Sequence, residues 1–149
     1  MTVPCRGRIC HTFAAILALA GGAAPEPAQA AERVALTITL NAAAATEAGG
    51  CRLSFVIRND LGTAIDSLVA EAVLFDAEGR VTTMTLFDFG AVPEGRPRVR
   101  QFDLAGQGCD AIGGVLINGI GTCEGNGLSP AACVDGLRLA SETRIKVTG

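Results

Sequence analysis

The residues of this chain with the widest chemical repertoire are its cysteines, of which Cys51, Cys109, Cys123 and Cys133 lie beyond an N-terminal segment that holds Cys5 and Cys10. Thiolates can attack disulfides, ligate zinc or pair with one another, and spacing helps to separate these outcomes. No Cys-x-x-Cys occurs, and the only histidine is His11 in that same N-terminal segment. A thiol redox centre and a zinc site both lose their usual ligand patterns. Four cysteines in a small exported domain instead read as two disulfides, with three connectivities open. Cys123 and Cys133 flank Glu-Gly-Asn-Gly-Leu-Ser-Pro-Ala-Ala, a turn-forming segment that favours a local bridge. The expected pairing is therefore Cys123 with Cys133, leaving Cys51 for Cys109. On the chain-entropy argument, loops of about 10 and about 58 residues give roughly 2.7 and 4.2 kcal/mol.

Other chemistries fare less well. With His11 inside a leader, imidazole is lost to the mature chain as base, acid or metal ligand, which removes most hydrolase mechanisms. A Ser with a Lys base would have to use Lys146, the only lysine, and its place on an alternating strand points to solvent rather than to the desolvated site such a base needs. Asp88, Asp103 and Asp110 keep a paired-carboxylate hydrolase formally open, yet Trp and Tyr, the usual stacking surfaces beside a sugar, are absent from the sequence. Asp76-Ala77-Glu78-Gly79 resembles the start of a calcium loop, but Phe87 stands where the twelfth-position Glu is required, and a turn accounts for the same residues. Copper handling needs His or clustered Met, and Met84 stands alone. Gly113-Gly114 and Gly119-Ile120-Gly121 do not match a phosphate-cradling loop and read as strand-end flexibility. No catalytic, cofactor-binding or metal site is expected.

The first 30 residues read as a signal peptide. Arg6 and Arg8 provide a positive start, residues 12–24 a 13-residue apolar stretch, and Ala28-Gln29-Ala30 the small residues of a cleavage site, placing the mature N-terminus at Ala31. The stretch is shorter than the roughly 20 residues that span a bilayer, so no stable membrane insertion after cleavage is expected. Gly7 separates the two arginines, which points to the general export route rather than the twin-arginine one. No cysteine follows the apolar run at a lipoprotein position. Removal of residues 1–30 takes two of the twelve basic and one of the fifteen acidic residues, leaving ten and fourteen and a net charge of −4. Basic residues are scattered singly, without the concentrated field that nucleic acid requires. The expected compartment is periplasmic or secreted.

The elements that must position these residues are strands. The chain is 49% hydrophobic and only 18% charged, which excludes disorder and allows one core. Val34, Leu36, Ile38 and Leu40 alternate with smaller or polar residues, as do Cys51, Leu53, Phe55 and Ile57, and Asn59-Asp60-Leu61-Gly62 ends the second run. Residues 68–75 and 81–89 form a hairpin about Asp76-Ala77-Glu78-Gly79, although Met84 and Leu86 oppose Phe87 and Phe89 in parity and leave its inward face open. Residues 99–104, 112–120 and 137–147 complete about seven strands. The Ala-rich residues 42–48 suit a short helix or a plain connector. Residues 119–130 read as a polar surface loop pinned by the short disulfide. The sum is one all-β domain over residues 31–149, a disulfide-stabilised sandwich with turn signals every 10 to 15 residues or so.

Arg96, Arg98 and Arg100 stand at alternate positions and are expected to project from one face of their strand. They serve either to keep an outer face soluble and closed to strand addition, or as a docking surface for an acidic partner.

Phe55-Val56-Ile57-Arg58-Asn59, Leu74-Phe75-Asp76-Ala77-Glu78-Gly79 and Val92-Pro93-Glu94-Gly95 together resemble the strand, hairpin and turn series of FxLYD-like immunoglobulin-type domains of bacterial exported proteins. With its four cysteines, the mature chain resembles an uncharacterised family of small bacterial secreted proteins often labelled only by a Tat pathway signal sequence. The resemblance implies an immunoglobulin-like β-sandwich and a compartment, and transfers no catalytic residue. The expected function is that of an exported, non-catalytic module that binds another envelope or secreted macromolecule or serves a structural role. The alternatives are a small-ligand-binding periplasmic protein and a carboxylate-dependent hydrolase.

Overall fold

The computed structural model describes residues 35–149; the expected leader over residues 1–30, its cleavage after Ala30, and Val34 lie outside the described residues. β1 (Leu36–Ala45) and β2 (Cys51–Asn59) form an antiparallel hairpin. Leu36, Ile38 and Leu40 of β1 and Cys51, Leu53, Phe55 and Ile57 of β2 are fully buried, so the period-two pattern of the sequence is the inward face of this pair. Ala42 to Ala45, a helix or connector by propensity, continue β1 as strand opposite Ser54 to Cys51. Ladder pairing with β2 overrides alanine's helix preference, and a register shift between Leu40 and Ala42 passes Asn41 without a partner in the ladder.

β3 (Ser67–Phe75) and β4 (Val81–Asp88) form the second hairpin. Its turn is the one expected: the Asp76 carboxylate accepts the Glu78 and Arg80 amides at 3.0 and 2.8 Å, and Gly79 takes a φ of 80° that a side chain would disfavour. β5 (Arg98–Leu104) pairs antiparallel with β2, and β6 (Gly114–Glu124) pairs antiparallel with β3. A six-residue helix α1 (Pro130–Asp135) follows, started by Pro130 and capped by the Ser129 hydroxyl, which accepts the Ala132 amide.

The chain closes with β7 (Leu137–Ser141) and β8 (Lys146–Thr148), where one continuous strand was expected. β7 runs parallel to β1 and β8 parallel to β6, so the polypeptide changes sheets between them. The change is made by a hydroxyl-linked turn: Ser141 Oγ donates to the Ile145 carbonyl at 2.7 Å and accepts the Thr143 amide, and Thr143 Oγ1 accepts the Ile145 amide. Alternation persists across the break, which is why it was invisible in the sequence.

The result is an all-β sandwich of two four-stranded sheets, β5-β2-β1-β7 and β4-β3-β6-β8. With β1, β2 and β5 in one sheet and β3 and β6 in the other, the order follows the A-B-E and C-F groupings of an immunoglobulin-like sandwich. Phe55, Phe87, Phe89 and Phe102 meet pairwise between the sheets, with ring centroids 4.5 to 6.2 Å apart. Tilted and edge-on contacts of this kind add to the burial of the rings themselves. Asn59 is the one fully buried polar side chain of the described core. It donates to the Thr63 and Val92 carbonyls and accepts the Leu61 amide, fixing the β2–β3 connection.

Both expected disulfides are present. Cys51 joins Cys109 in a short 3-10 turn after β5, and Cys123 at the end of β6 joins Cys133 on α1. Residues 119–124, expected as loop, belong to β6, whose register shifts pass Asn118 and Gly121 within the strand. Gly113 is likewise a matter of close packing rather than flexibility, because a Cβ there would overlap the Asp76 carbonyl.

Candidate functional site

β4 is an edge strand, paired with β3 on one side and with no strand on the other. Phe87 and, just past its end, Phe89 point into the core, which settles the parity conflict in the sequence. Met84 and Leu86 consequently face outward and are 70% and 62% exposed. Behind them the same outer face continues with Val73 of β3 directly opposite Met84, and Leu116 of β6 opposite Val73. Glu71 stands opposite Leu86 and accepts a hydrogen bond from Asn118 at 3.4 Å. Glu71, Val73, Met84, Leu86 and Asn118 line a shallow open depression of about 350 Å³. Val73 is itself buried, so Met84 and Leu86 are the exposed apolar part of this face.

The polar side chains nearest to chemistry are engaged elsewhere. Arg52 and Asp103 face each other across β2 and β5 and form a two-pronged pair at 2.6 and 2.7 Å. The hydrogen bonds from Arg52, followed by its charge, hold the Asp103 carboxyl below the usual carboxylate range, and the Arg52 pKa is raised reciprocally. Asp76 is also lowered, first by the Arg80 backbone amide and then by its guanidinium, which lies 2.8 Å away. Its carboxylate thus serves the hairpin turn. Asp88 accepts the Gly90 amide at 2.9 Å, and Asp110 pairs with Arg144. Asp88, Asp103 and Asp110 each have a local partner. Lys146 is exposed on β8. Among the described residues, no three or more His, Cys, Asp or Glu are grouped to hold a metal ion, and no helix is long and apolar enough to cross a membrane.

Of the three alternating arginines, Arg98 and Arg100 lie on β5, while Arg96 is exposed in the segment before it. Arg98 and Arg100 stand opposite Ile57 and Phe55 and are half-buried on the core-side margin of the strand, so the three do not form one solvated row. The Arg100 guanidinium bridges the sheets: it donates to the Phe89 carbonyl at 2.8 Å and the Ala91 carbonyl at 3.4 Å, just past β4. Gln107 makes a second link, donating to Thr82 Oγ1 at 2.7 Å. At a half-buried position these carbonyls satisfy a charge that would otherwise be held in water.

Met84 and Leu86 were not singled out as a surface in the sequence. The available signal was the uncharged run Val81 to Phe87 bounded by Arg80 and Asp88, with apolar residues at both parities. No family model, curated protein or solved structure matches this chain.

Proposed function

We propose that this chain is an exported, non-catalytic sandwich module that works outside the cytoplasm by contact with another macromolecule of the envelope or secreted space. The observation that carries this reading is the outward apolar face of β3, β4 and β6, centred on Met84 and Leu86. Two disulfides fit an oxidising compartment, and the leader read from residues 1–30 supplies the route there. The aromatic cluster between the sheets favours an outer contact surface over a ligand held in the interior, and the local pairing of the candidate acids speaks against hydrolysis.

The reading is tested with disulfide-intact protein and a Met84→Asp/Leu86→Asp variant, each immobilised and offered an extract of the producing cell's envelope. A specific component retained by the unaltered protein and lost from the variant, at unchanged thermal stability, is the expected result. Identical retention would remove the outer face from the account. The intact mass of the exported product is expected to correspond to a chain beginning at Ala31; a mass that includes residues 1–30 would contradict the leader.

A further inference from the structure

We propose that Met84 is a modification site, the residue at which peroxides oxidise this chain, and that its sulfoxide closes the apolar face of β4 to contact. The inference rests on the reading of that face as the docking surface and names how it is regulated. Two-electron oxidants attack soft, electron-rich side chains, the thiolate of cysteine and the thioether of methionine above all. Cysteine offers no thiol here, because Cys51, Cys109, Cys123 and Cys133 are all held in disulfides. The sequence contains no Trp and no Tyr, and His11 and Met1, its only histidine and its only other methionine, both fall within the expected leader. Among the described residues the Met84 thioether is therefore the single group of this class.

Its position makes the group both reachable and consequential. Met84 is strongly exposed at an outward position of β4 opposite Val73, and it lines the open depression with Leu86, Glu71 and Asn118. Hydrogen peroxide reaches Sγ from solvent. A sulfur lone pair attacks one peroxide oxygen, the O–O bond breaks, and the proton of the transferred oxygen passes to the leaving hydroxide, which departs as water. Sulfur loses two electrons and the peroxide gains them. The product carries a strongly polar S=O group where the thioether was only a weak acceptor. A partner that covers Met84 through apolar contact would have to strip the water from that oxygen without supplying a donor. Leu86 and Val81, the other exposed apolar residues of β4, have no atom that this chemistry can change.

The interior is spared. Phe55, Phe87, Phe89 and Phe102 hold the sheets together on the opposite side of β4 from Met84. Oxidation thus alters the surface and leaves the fold, whereas the oxidation of a buried methionine makes a core polar and disrupts it.

The test treats disulfide-intact protein with hydrogen peroxide and follows intact mass, peptide map, thermal unfolding and retention on a phenyl matrix, an apolar probe that requires no knowledge of the partner. The expected result is a gain of one oxygen atom, mapped to Met84, at unchanged thermal stability and with earlier elution from the phenyl matrix. Met84→Leu keeps the face apolar and should take up about tenfold less oxygen, eluting alike with and without peroxide. Met84→Gln, which sets an amide oxygen at the same place, should elute early without any peroxide. Methionine sulfoxide reductase with its dithiol reductant should restore mass and retention together. Oxygen mapped to another described residue, a fall in thermal stability, or a phenyl retention indifferent to oxidation would overturn the proposal. In the envelope-extract assay, oxidised protein should retain its component about tenfold less well than untreated protein, and Met84→Leu should retain it equally before and after peroxide. Equal retention by oxidised and untreated protein would overturn the switch and leave the docking reading to the Met84→Asp/Leu86→Asp variant. If untreated protein retains nothing, the docking reading falls, and the phenyl matrix still decides for or against the change of the face.

Discussion

β4 and β5 are both edge strands, one in each sheet, and the Arg100 and Gln107 side chains link them across the same margin of the sandwich. They manage that exposure in opposite ways. β5 is preceded by Pro97 and carries Arg98, Arg100 and Asp103, and its polar side chains bond to β2, to the β4–β5 connection and, through Asp103, to Arg52. Its one strongly exposed apolar residue is Val99. β4 holds its place with Phe87 on the inner side and leaves Met84 and Leu86 outside, with the charges kept to its ends. The lesson is that burial alone does not separate structure from contact surface at an edge. What matters is whether the outward groups already have partners within the chain.

The largest expected effect lies at the β5 end. Cys51 pairs opposite Leu104, the last residue of β5, and its disulfide partner Cys109 follows five residues later. Replacing Cys51 and Cys109 together by Ala should cost about 4 kcal/mol by the loop-entropy argument, against about 2.7 kcal/mol for the Cys123–Cys133 bridge. Denaturant titration of the two variants measures the difference. Equal losses would show that the bridge contributes through something other than the length of loop it closes.

Arg100→Ala comes next. Loss of the guanidinium leaves the Phe89 and Ala91 carbonyls without that donor, and about 1 to 2 kcal/mol of stability should go with it. If Arg100 acts only as a solvated charge, the change will be within about 0.5 kcal/mol, as for ordinary surface substitutions. Met84→Ser on β4, at a 70% exposed position, is expected to fall in that smaller class.

The Arg52–Asp103 pair gives a pH-dependent version of the same comparison. The folded Asp103 carboxyl has a lowered pKa, as does Asp76, so each contributes stability that is complete above the unfolded carboxylate pKa and lost as pH falls through the lower folded value. Acid titration of thermal stability should therefore flatten below about pH 4 when Asp103 is replaced by Asn.

Much of the sandwich was legible because it follows from side-chain alternation and turn chemistry. Leu36 to Leu40, Cys51 to Ile57, the Asn59 turn and the Asp76 turn all stand where local rules put them. Cysteine spacing gave the pairing because a short turn-rich loop closes readily. What escaped the sequence depended on long-range geometry. Leu137 to Val147 keep one alternating rhythm through a change of sheet that hydroxyl bonds at Ser141 and Thr143 create. Gly113 reads as flexible until the Asp76 carbonyl is seen beside it. The alternating arginines were visible, but not that a core-side strand position would turn Arg100 toward carbonyls past the other sheet's edge. The β4 face was hidden by its own ambiguity, since Met84 and Leu86 compete with Phe87 and Phe89 for the interior and only packing against Phe55 and Phe102 decides.

β5 is tied to the rest of the chain by Arg100, Gln101 and Asp103, while β4 exposes Met84 and Leu86 along an edge with no neighbouring strand. Residue-resolved amide hydrogen exchange of the disulfide-intact protein tests this contrast. Because the Phe89 amide donates to Leu68 and main-chain groups alternate sides along a strand, the Met84 and Leu86 amides face the open side of β4 and should exchange fast, while the Thr85 and Phe87 amides, directed to β3, should be protected. Exchange at Met84 and Leu86 as slow as at Thr85 and Phe87 would show that the β4 edge is covered.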